Sequence, residues 1–184
     1  MDSLHVALNT GFSSIKINTV MMENFNDDEI FEMVDFTMNN EISWRFIELM
    51  SIGPVKDKYN TIDSKILINR LKEKYNMEKI TENFPVGNGP AEYYKIKGSK
   101  GFIGFISPVS HNFCHMCNRL RLTADGKLRF CLMGEDEIDI LKIMRDGSSR
   151  ENLKKEIENA IKIKQSKLFN HEKSNQRFMY QIGG

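Results

Sequence analysis

Ile15-Lys16-Ile17-Asn18-Thr19-Val20-Met21 and Trp44-Arg45-Phe46-Ile47-Glu48-Leu49-Met50 are two runs rich in β-branched and aromatic residues, and what separates them decides the fold. Asn26 followed by Glu29 has the spacing of a capping box. Ile30, Met33, Val34 and Met38 then recur at helical intervals until Asn39-Asn40 interrupts them. Strand, helix, strand is a βαβ unit, whose two strands run parallel with a right-handed crossover. Two parallel strands leave both faces and both edges open, so later segments or another polypeptide must cover them. The open edges also predict self-association, a homodimer being one form of it.

Upstream, residues 4–10 read as the tail of a helix closed by Gly11. Downstream, 51–60 with Gly53-Pro54 reads as a connection, and a second helix is expected over 62–75 with Ile62, Ile66, Leu67 and Leu71 inward. Gly87-Asn88-Gly89-Pro90 is turn chemistry and suggests a border within 83–91. Beyond it, strands are expected over 92–97, 101–107, 119–123 and 127–132. Helices follow over 135–146, closed by Gly147, and 149–164, capped by Ser148 with Glu151. The expected divisions are 1–52, 53–90 and 91–184.

The 184 residues carry 26 Lys+Arg against 25 Asp+Glu, and this near-balance argues against nucleic acid as a partner. No apolar run approaches the ~20 residues of a membrane span. Met1-Asp2-Ser3-Leu4-His5 has neither the basic nor the apolar region of a secretory leader, so a cytoplasmic protein is expected.

Cys114, Cys117 and Cys131 form C-x2-C-x13-C. Two thiolates on a tight loop and a third on a strand can hold one metal centre. Zinc would need His111, His115 or His171 as a fourth ligand. A [4Fe–4S] cluster on three cysteines would leave one iron open to a substrate atom, and three unligated thiols are the remaining reading.

Thr123-Ala124-Asp125-Gly126-Lys127 suits a three-residue hairpin loop with Gly126 in the left-handed bulge position. That register sets Leu122 opposite Leu128, Arg121 opposite Arg129, Leu120 opposite Phe130 and Arg119 opposite Cys131. The apolar residues then share one face, and three arginines share the other with a cysteine. Like charges facing each other are unfavourable, and a bound anion would offset the cost. Guanidinium forks match phosphate oxygens, so a phosphorylated ligand is expected beside the cysteines.

Together, Arg45 to Met50, Gly89-Pro90-Ala91-Glu92-Tyr93-Tyr94, Gly101-Phe102-Ile103-Gly104-Phe105-Ile106-Ser107-Pro108, the run from Phe113 to Arg129 and the terminal Gly183-Gly184 resemble the GTP 3′,8-cyclase family of molybdenum cofactor biosynthesis, which are radical S-adenosylmethionine enzymes. The resemblance implies an α/β fold: the carboxyl-terminal part of an incomplete (βα) TIM-type barrel, followed by an α+β extension that carries an iron–sulfur cluster. It also favours [4Fe–4S] over zinc. It implies that Cys114, Cys117 and Cys131 hold the second cluster of the family. Arg119, Leu120 and Arg121 would bind GTP, and Lys16 its triphosphate. Arg45 and Met50 would contact S-adenosylmethionine, and the Gly183-Gly184 tail would reach the active site. The implied reaction converts GTP to 3′,8-cyclo-7,8-dihydroguanosine triphosphate, on which cyclic pyranopterin synthase would act.

One departure stands out. The family's radical-generating C-x3-C-x2-C motif has no counterpart among the three cysteines of this chain. The expectation is a chain that matches the carboxyl-terminal portion of such an enzyme, with the amino-terminal half of the barrel as its missing partner. On its own it should be inactive in cleaving S-adenosylmethionine. A zinc-stabilised, non-enzymatic module that binds a phosphorylated partner is the competing reading.

Overall fold

A computed structural model describes residues 2–50, 52, 58–82, 87, 89–166 and 179–182. It is a mixed α/β structure with two compact units, Met1–Met50 with Tyr59–Asn112 and Ser51–Lys58 with Phe113–Gly184.

The first unit begins with helix α1 (Asp2–Asn9) and strand β1 (Ile15–Met21), followed by α2 (Ile30–Asn39) and β2 (Ile42–Glu48). Strands β1 and β2 are parallel, Ile15 opposite Ile42 through Met21 opposite Glu48, as the βαβ reading requires. The cover comes from later in the chain: α3 (Ser64–Lys74), β3 (Met77–Ile80), β4 (Glu92–Ile96) and β5 (Phe102–Ile106). The five-stranded sheet runs β1-β2-β5-β4-β3, with β5 parallel to β2 and antiparallel to β4. Strand β3, which pairs antiparallel with β4, was not expected from the sequence. Met77-Glu78-Lys79-Ile80 is too short and too charged to show a period.

One face of this sheet is the core. Ile42, Trp44 and Phe46 of β2 and Ile103 and Phe105 of β5 pack with Ile30 and Val34 of α2 and Leu67 and Leu71 of α3. The close fit shows at Gly101, where a Cβ would lie 2.4 Å from the Ile42 carbonyl oxygen and 2.7 Å from that of Asn40. Only glycine lets the start of β5 pass this close to the end of α2, where its N–H donates to the Thr37 carbonyl at 2.9 Å.

Two sequence expectations are corrected here. Asn26 does not cap α2, which starts at Ile30 with Glu29 before it and no side-chain cap. The Asn26 amide instead stitches the loop, accepting from the Met22 N–H at 2.9 Å and donating to the Val20 carbonyl at 3.0 Å. Ile66 is 52% exposed, because Asp63 caps α3 and the inward row falls on Ser64, Leu67 and Leu71.

The second unit holds a 3-10 turn (Cys114–Met116) and strands β6 (Arg121–Leu122), β7 (Lys127–Arg129) and β8 (Glu137–Asp139) in the order β6-β7-β8. Helices α4 (Ile140–Arg145) and α5 (Arg150–Ser166) follow. The helix expected over 135–146 is half strand. Glu137 and Asp139 face Arg129 and Lys127 across the ladder, and opposite charges at paired positions favour the strand over a helical turn. Ser148 is not the cap of α5 either: Ser149 Oγ accepts from the Asn152 N–H at 3.1 Å. Among the described residues no helix is long and apolar enough to cross a membrane.

Candidate cysteine and arginine site

The hairpin has the register read from the sequence, with Arg121 opposite Arg129 and Leu122 opposite Leu128. Gly126 takes φ +79°, its N–H donates to the Thr123 carbonyl at 3.0 Å, and the Thr123 N–H donates to the Lys127 carbonyl at 2.9 Å. The tip is held from outside as well. The Leu141 N–H donates to the Gly126 carbonyl at 2.9 Å, and a Cβ on Gly126 would lie 2.5 Å from that of Leu141. The other two expected pairs, Leu120 with Phe130 and Arg119 with Cys131, lie beyond the ladder.

The expected separation into a buried apolar face and an open arginine face is corrected. Leu122 is 61% exposed, while Arg129 is 2% exposed. The cause is β8, which the sequence reading took for helix. Its Glu137 lies 3.7 Å from an Arg129 guanidinium nitrogen and 2.6 Å from Lys127 Nζ, and the other terminal nitrogen of Arg129 donates to the Gly134 carbonyl. The anion that relieves the facing arginines is thus partly the chain's own carboxylate. Among the described residues Arg129 Nε finds no acceptor although it is buried, at a cost of about 1–3 kcal/mol for such a donor.

Arg121 opens β6, and Arg119 lies two residues before it. Arg119 is exposed, with its guanidinium 5.6 Å from the centre of the Phe113 ring. Arg121 is half-buried, and burial lowers its pKa, assisted by the like charges of Arg119 and Arg129. Cys117 and Cys131 act in the opposite sense. Arginines and cysteines therefore lie within each other's electrostatic reach. Leu120 between them is half-buried.

Cys114, Cys117 and Cys131 are all half-buried free thiols. The loop is tight, the Cys117 N–H donating to the Cys114 carbonyl at 3.2 Å. Burial pushes the Cys114 thiol up, and negative charge on Cys131 and Cys117 would push it further, while Lys164 pulls it down. That mutual influence puts the three sulfurs in one neighbourhood. Lys164 reaches it from α5, donating to the Phe130 carbonyl at 2.6 Å. Among the described residues no three His, Cys, Asp or Glu side chains stand where they could hold a metal ion. Three reduced, half-buried thiols with cations beside them are nevertheless a donor set suited in kind to an iron–sulfur cluster, whose thiolate ligands bind separate irons.

In the first unit, the sheet face opposite the core carries the other expected residues. Lys16, Asn18 and Arg45 share it by strand parity, and Arg45 Nε donates to Asn18 Oδ1 at 2.7 Å. Gly104, next in the row, makes room for the arginine stem, since a Cβ there would lie 2.9 Å from Arg45 Cγ. Lys16 Nζ lies 3.3 Å from where a Cβ on Gly87 would be. Met50 is half-buried two residues past β2. Gly183 and Gly184 lie outside the described residues, as does His171.

Glu48 is a buried carboxylate that no sequence motif singled out, although an acid continuing the inward row of Ile42, Trp44 and Phe46 was a signal. It is 2% exposed, accepting from the N–H groups of Ser64 at 2.9 Å, Val109 at 3.0 Å and Ser110 at 2.9 Å, and from the Ser110 hydroxyl. Burial alone would raise its pKa, but these donors together outweigh it and hold the carboxyl below its ordinary value. Glu137 and Lys164 were also missed, and nothing in the sequence points to Lys164.

Residues 42–170 match the family described as Molybdenum Cofactor Synthesis C. The chain belongs to that family. Among its curated relatives is the GTP 3′,8-cyclase of Thermodesulfovibrio yellowstonii, 41% identical over the whole of this chain and 56% of the relative. The GTP 3′,8-cyclase of Trichodesmium erythraeum is 39% identical over the whole chain and 57% of its own length. That of Clostridium perfringens is 41% identical over 92% of this chain and 53% of its own length. The chain thus spans a little over half the length of these relatives, matching their carboxyl-terminal half. For a member of the Molybdenum Cofactor Synthesis C family, the cysteine and arginine cluster falls inside the matched residues.

Proposed function

We propose that this chain supplies the GTP-binding and second-cluster part of a GTP 3′,8-cyclase, with Cys114, Cys117 and Cys131 as the ligands of a [4Fe–4S] cluster. What supports the reading is the tight loop that carries Cys114 and Cys117 and leads through Arg119 into the hairpin strand of Arg121, a half-buried guanidinium whose lowered pKa Cys117 and Cys131 oppose. The bound cluster would supply an open iron able to hold a purine atom. The chain's own residues do the rest. Arg121, on a strand whose hairpin tip is fastened at Gly126, and Arg119 just before it hold phosphate oxygens in one place. Lys164 and the arginines compensate the negative charge of three thiolates. Lys16 takes the triphosphate, while Arg45 and Met50 contact S-adenosylmethionine. The Gly183-Gly184 tail enters the active site of the complete enzyme. In that enzyme the amino-terminal half of a (βα) barrel would provide the radical-generating cluster, and this chain alone would be inactive. Holding ribose and base in register is a large part of such a cyclisation, because two carbons of one substrate must meet.

Anaerobic reconstitution with ferrous iron and sulfide, followed by calorimetric titration with GTP, tests this. The expected result is a brown protein with a cluster EPR signal. Arg119→Ala or Arg121→Ala should each weaken GTP about 10- to 100-fold with iron content unchanged, the worth of a charge-assisted hydrogen bond. One tightly held zinc per chain and no iron would instead establish the zinc-stabilised module.

A further inference from the structure

The sheet face that packs on α2 and α3 is not filled to its rim. A cavity of about 250 Å³ opens beside the first turn of α3, between that turn, β3, β4 and the segment after β5. Tyr94 and Phe105 line it, and by strand parity they point away from the face of Arg45, because Tyr93 and Gly104 fall in that row. Two hydroxyls in the wall are unanswered. Tyr94 is 6% exposed and Ser64 4%, and among the described residues neither side-chain oxygen has a hydrogen-bond partner. Buried polar groups in folded proteins nearly always have one, so what completes these two sits in the cavity.

The walls stand before any ligand arrives. Glu48 accepts the N–H of Ser64 on one side and those of Val109 and Ser110 on the other, which ties α3 to the segment after β5. The Phe105 ring meets that of Tyr94 edge-on, 5.6 Å between centres, and fixes its direction. Burial, then the Glu92 charge, raise the Tyr94 pKa against the pull of Lys79, so the phenol stays a donor at neutral pH. The volume is several times the ~30 Å³ share of one water. It falls below the ~300 Å³ at which pockets for drug-sized ligands begin, so the occupant is small. Charge at the mouth sets its sign. Lys79 is paired with Glu92 at 2.9 Å, whereas Lys65 is exposed and has no carboxylate partner among the described residues. One uncompensated ammonium suits a single negative charge better than the nearly doubled charge of a phosphate monoester. Ile68 and Phe105 add an apolar wall.

We propose that this cavity binds a small organic monocarboxylate with an apolar body, held by the hydroxyls of Tyr94 and Ser64 and by Lys65, with its body against Ile68 and Phe105. The site uses no cysteine and no arginine, so it is independent of the cluster reading above.

Benzoate, one carboxylate on an apolar ring, is the probe, titrated into the full 15N-labelled chain and followed by amide NMR shifts and calorimetry. Binding should saturate, with the amides of Ser64, Lys65, Tyr94 and Ser107 shifting most. Tyr94→Phe keeps the ring, removes the hydroxyl and should weaken benzoate about tenfold, the worth of one hydrogen bond to a charged group. Lys65→Gln should weaken it by a similar factor. Without benzoate, the melting temperature of Tyr94→Phe should equal or exceed that of the parent, since no internal hydrogen bond is lost. A clear fall there would give the hydroxyl a structural role, and it overturns the inference, as does unchanged benzoate affinity in either variant. Failure to saturate leaves water as the occupant and overturns it too, as do shifts centred on Lys16 and Arg45. Inorganic phosphate binding at these residues in place of benzoate would make the cavity an anion site of another class and overturn the monocarboxylate assignment.

Discussion

The two compact units are stabilised by different means. In the first, a continuous apolar core runs from Met21 and Ile30 to Ile103 and Phe105, sandwiched between one sheet face and helices α2 and α3. In the second, the buried apolar residues among those described are only Ile52, Phe130, Ile140, Ala160 and Ile182, while a whole arginine is interred beside them. Its charged residues are organised instead around β7: Glu137 toward Arg129 and Lys127, and Lys164 onto the Phe130 carbonyl. A unit with so little oil and so many converging charges is one that a metal group could complete, since metal binding then contributes directly to folding.

The largest expected effect breaks that comparison most sharply. On anaerobic reconstitution, amide hydrogen exchange across 113–166 should slow by orders of magnitude while the amides of β2 and β5 stay as they were. Chelation should reverse it. Equal protection in both units would mean that the second unit needs no metal to be ordered.

Next in size is Gly101→Ala, where the added carbon meets backbone oxygens that cannot retreat. We expect a loss of about 3 kcal/mol in the denaturant transition of the first unit, with iron uptake unchanged. A loss below about 0.5 kcal/mol would show that the start of β5 is looser than drawn.

Glu48→Gln should cost about 2 kcal/mol, because an amide nitrogen must replace an oxygen that now accepts from backbone N–H groups. The pH dependence has a definite sign. Since the folded carboxyl has the lower pKa, its contribution is present above the unfolded glutamate value of about 4.3 and is lost as pH falls below it. Urea titrations down to pH 3 should therefore show a steeper acid loss in the parent than in the variant, and parallel limbs would remove Glu48 from the account.

The smallest effect belongs to Ile66→Ala, where a half-exposed side chain should change stability by less than about 0.5 kcal/mol. A cost above about 2 kcal/mol would restore the inward position that its spacing suggested.

What was legible in the sequence was whatever repeats with a period or needs a particular backbone. Residues 15–50 showed their parallel pair because alternation and helical spacing follow one another there. Gly126 fixed the hairpin register because a left-handed position in a short loop admits few residues. Interactions between distant segments were hidden. Even a near neighbour can hide one: Asn26 has the spacing of a cap, but the end of β1 just before it claims its amide. The segment 137–139 has helical neighbours, yet two cations across the ladder decide its conformation. The cysteines and both outer arginines could be named from spacing and resemblance, whereas the burial of Arg129 followed from a third strand that no local pattern announces.

The fastening of Gly126 by Leu141 has a kinetic corollary. A hairpin clasped at its tip cannot swing like a flap, so any ligand of Arg121 would have to meet it where it stands. Discrimination would then come from the visitor's fit to a stationary comb, with its ordering entropy settled when the chain folds and not at each encounter.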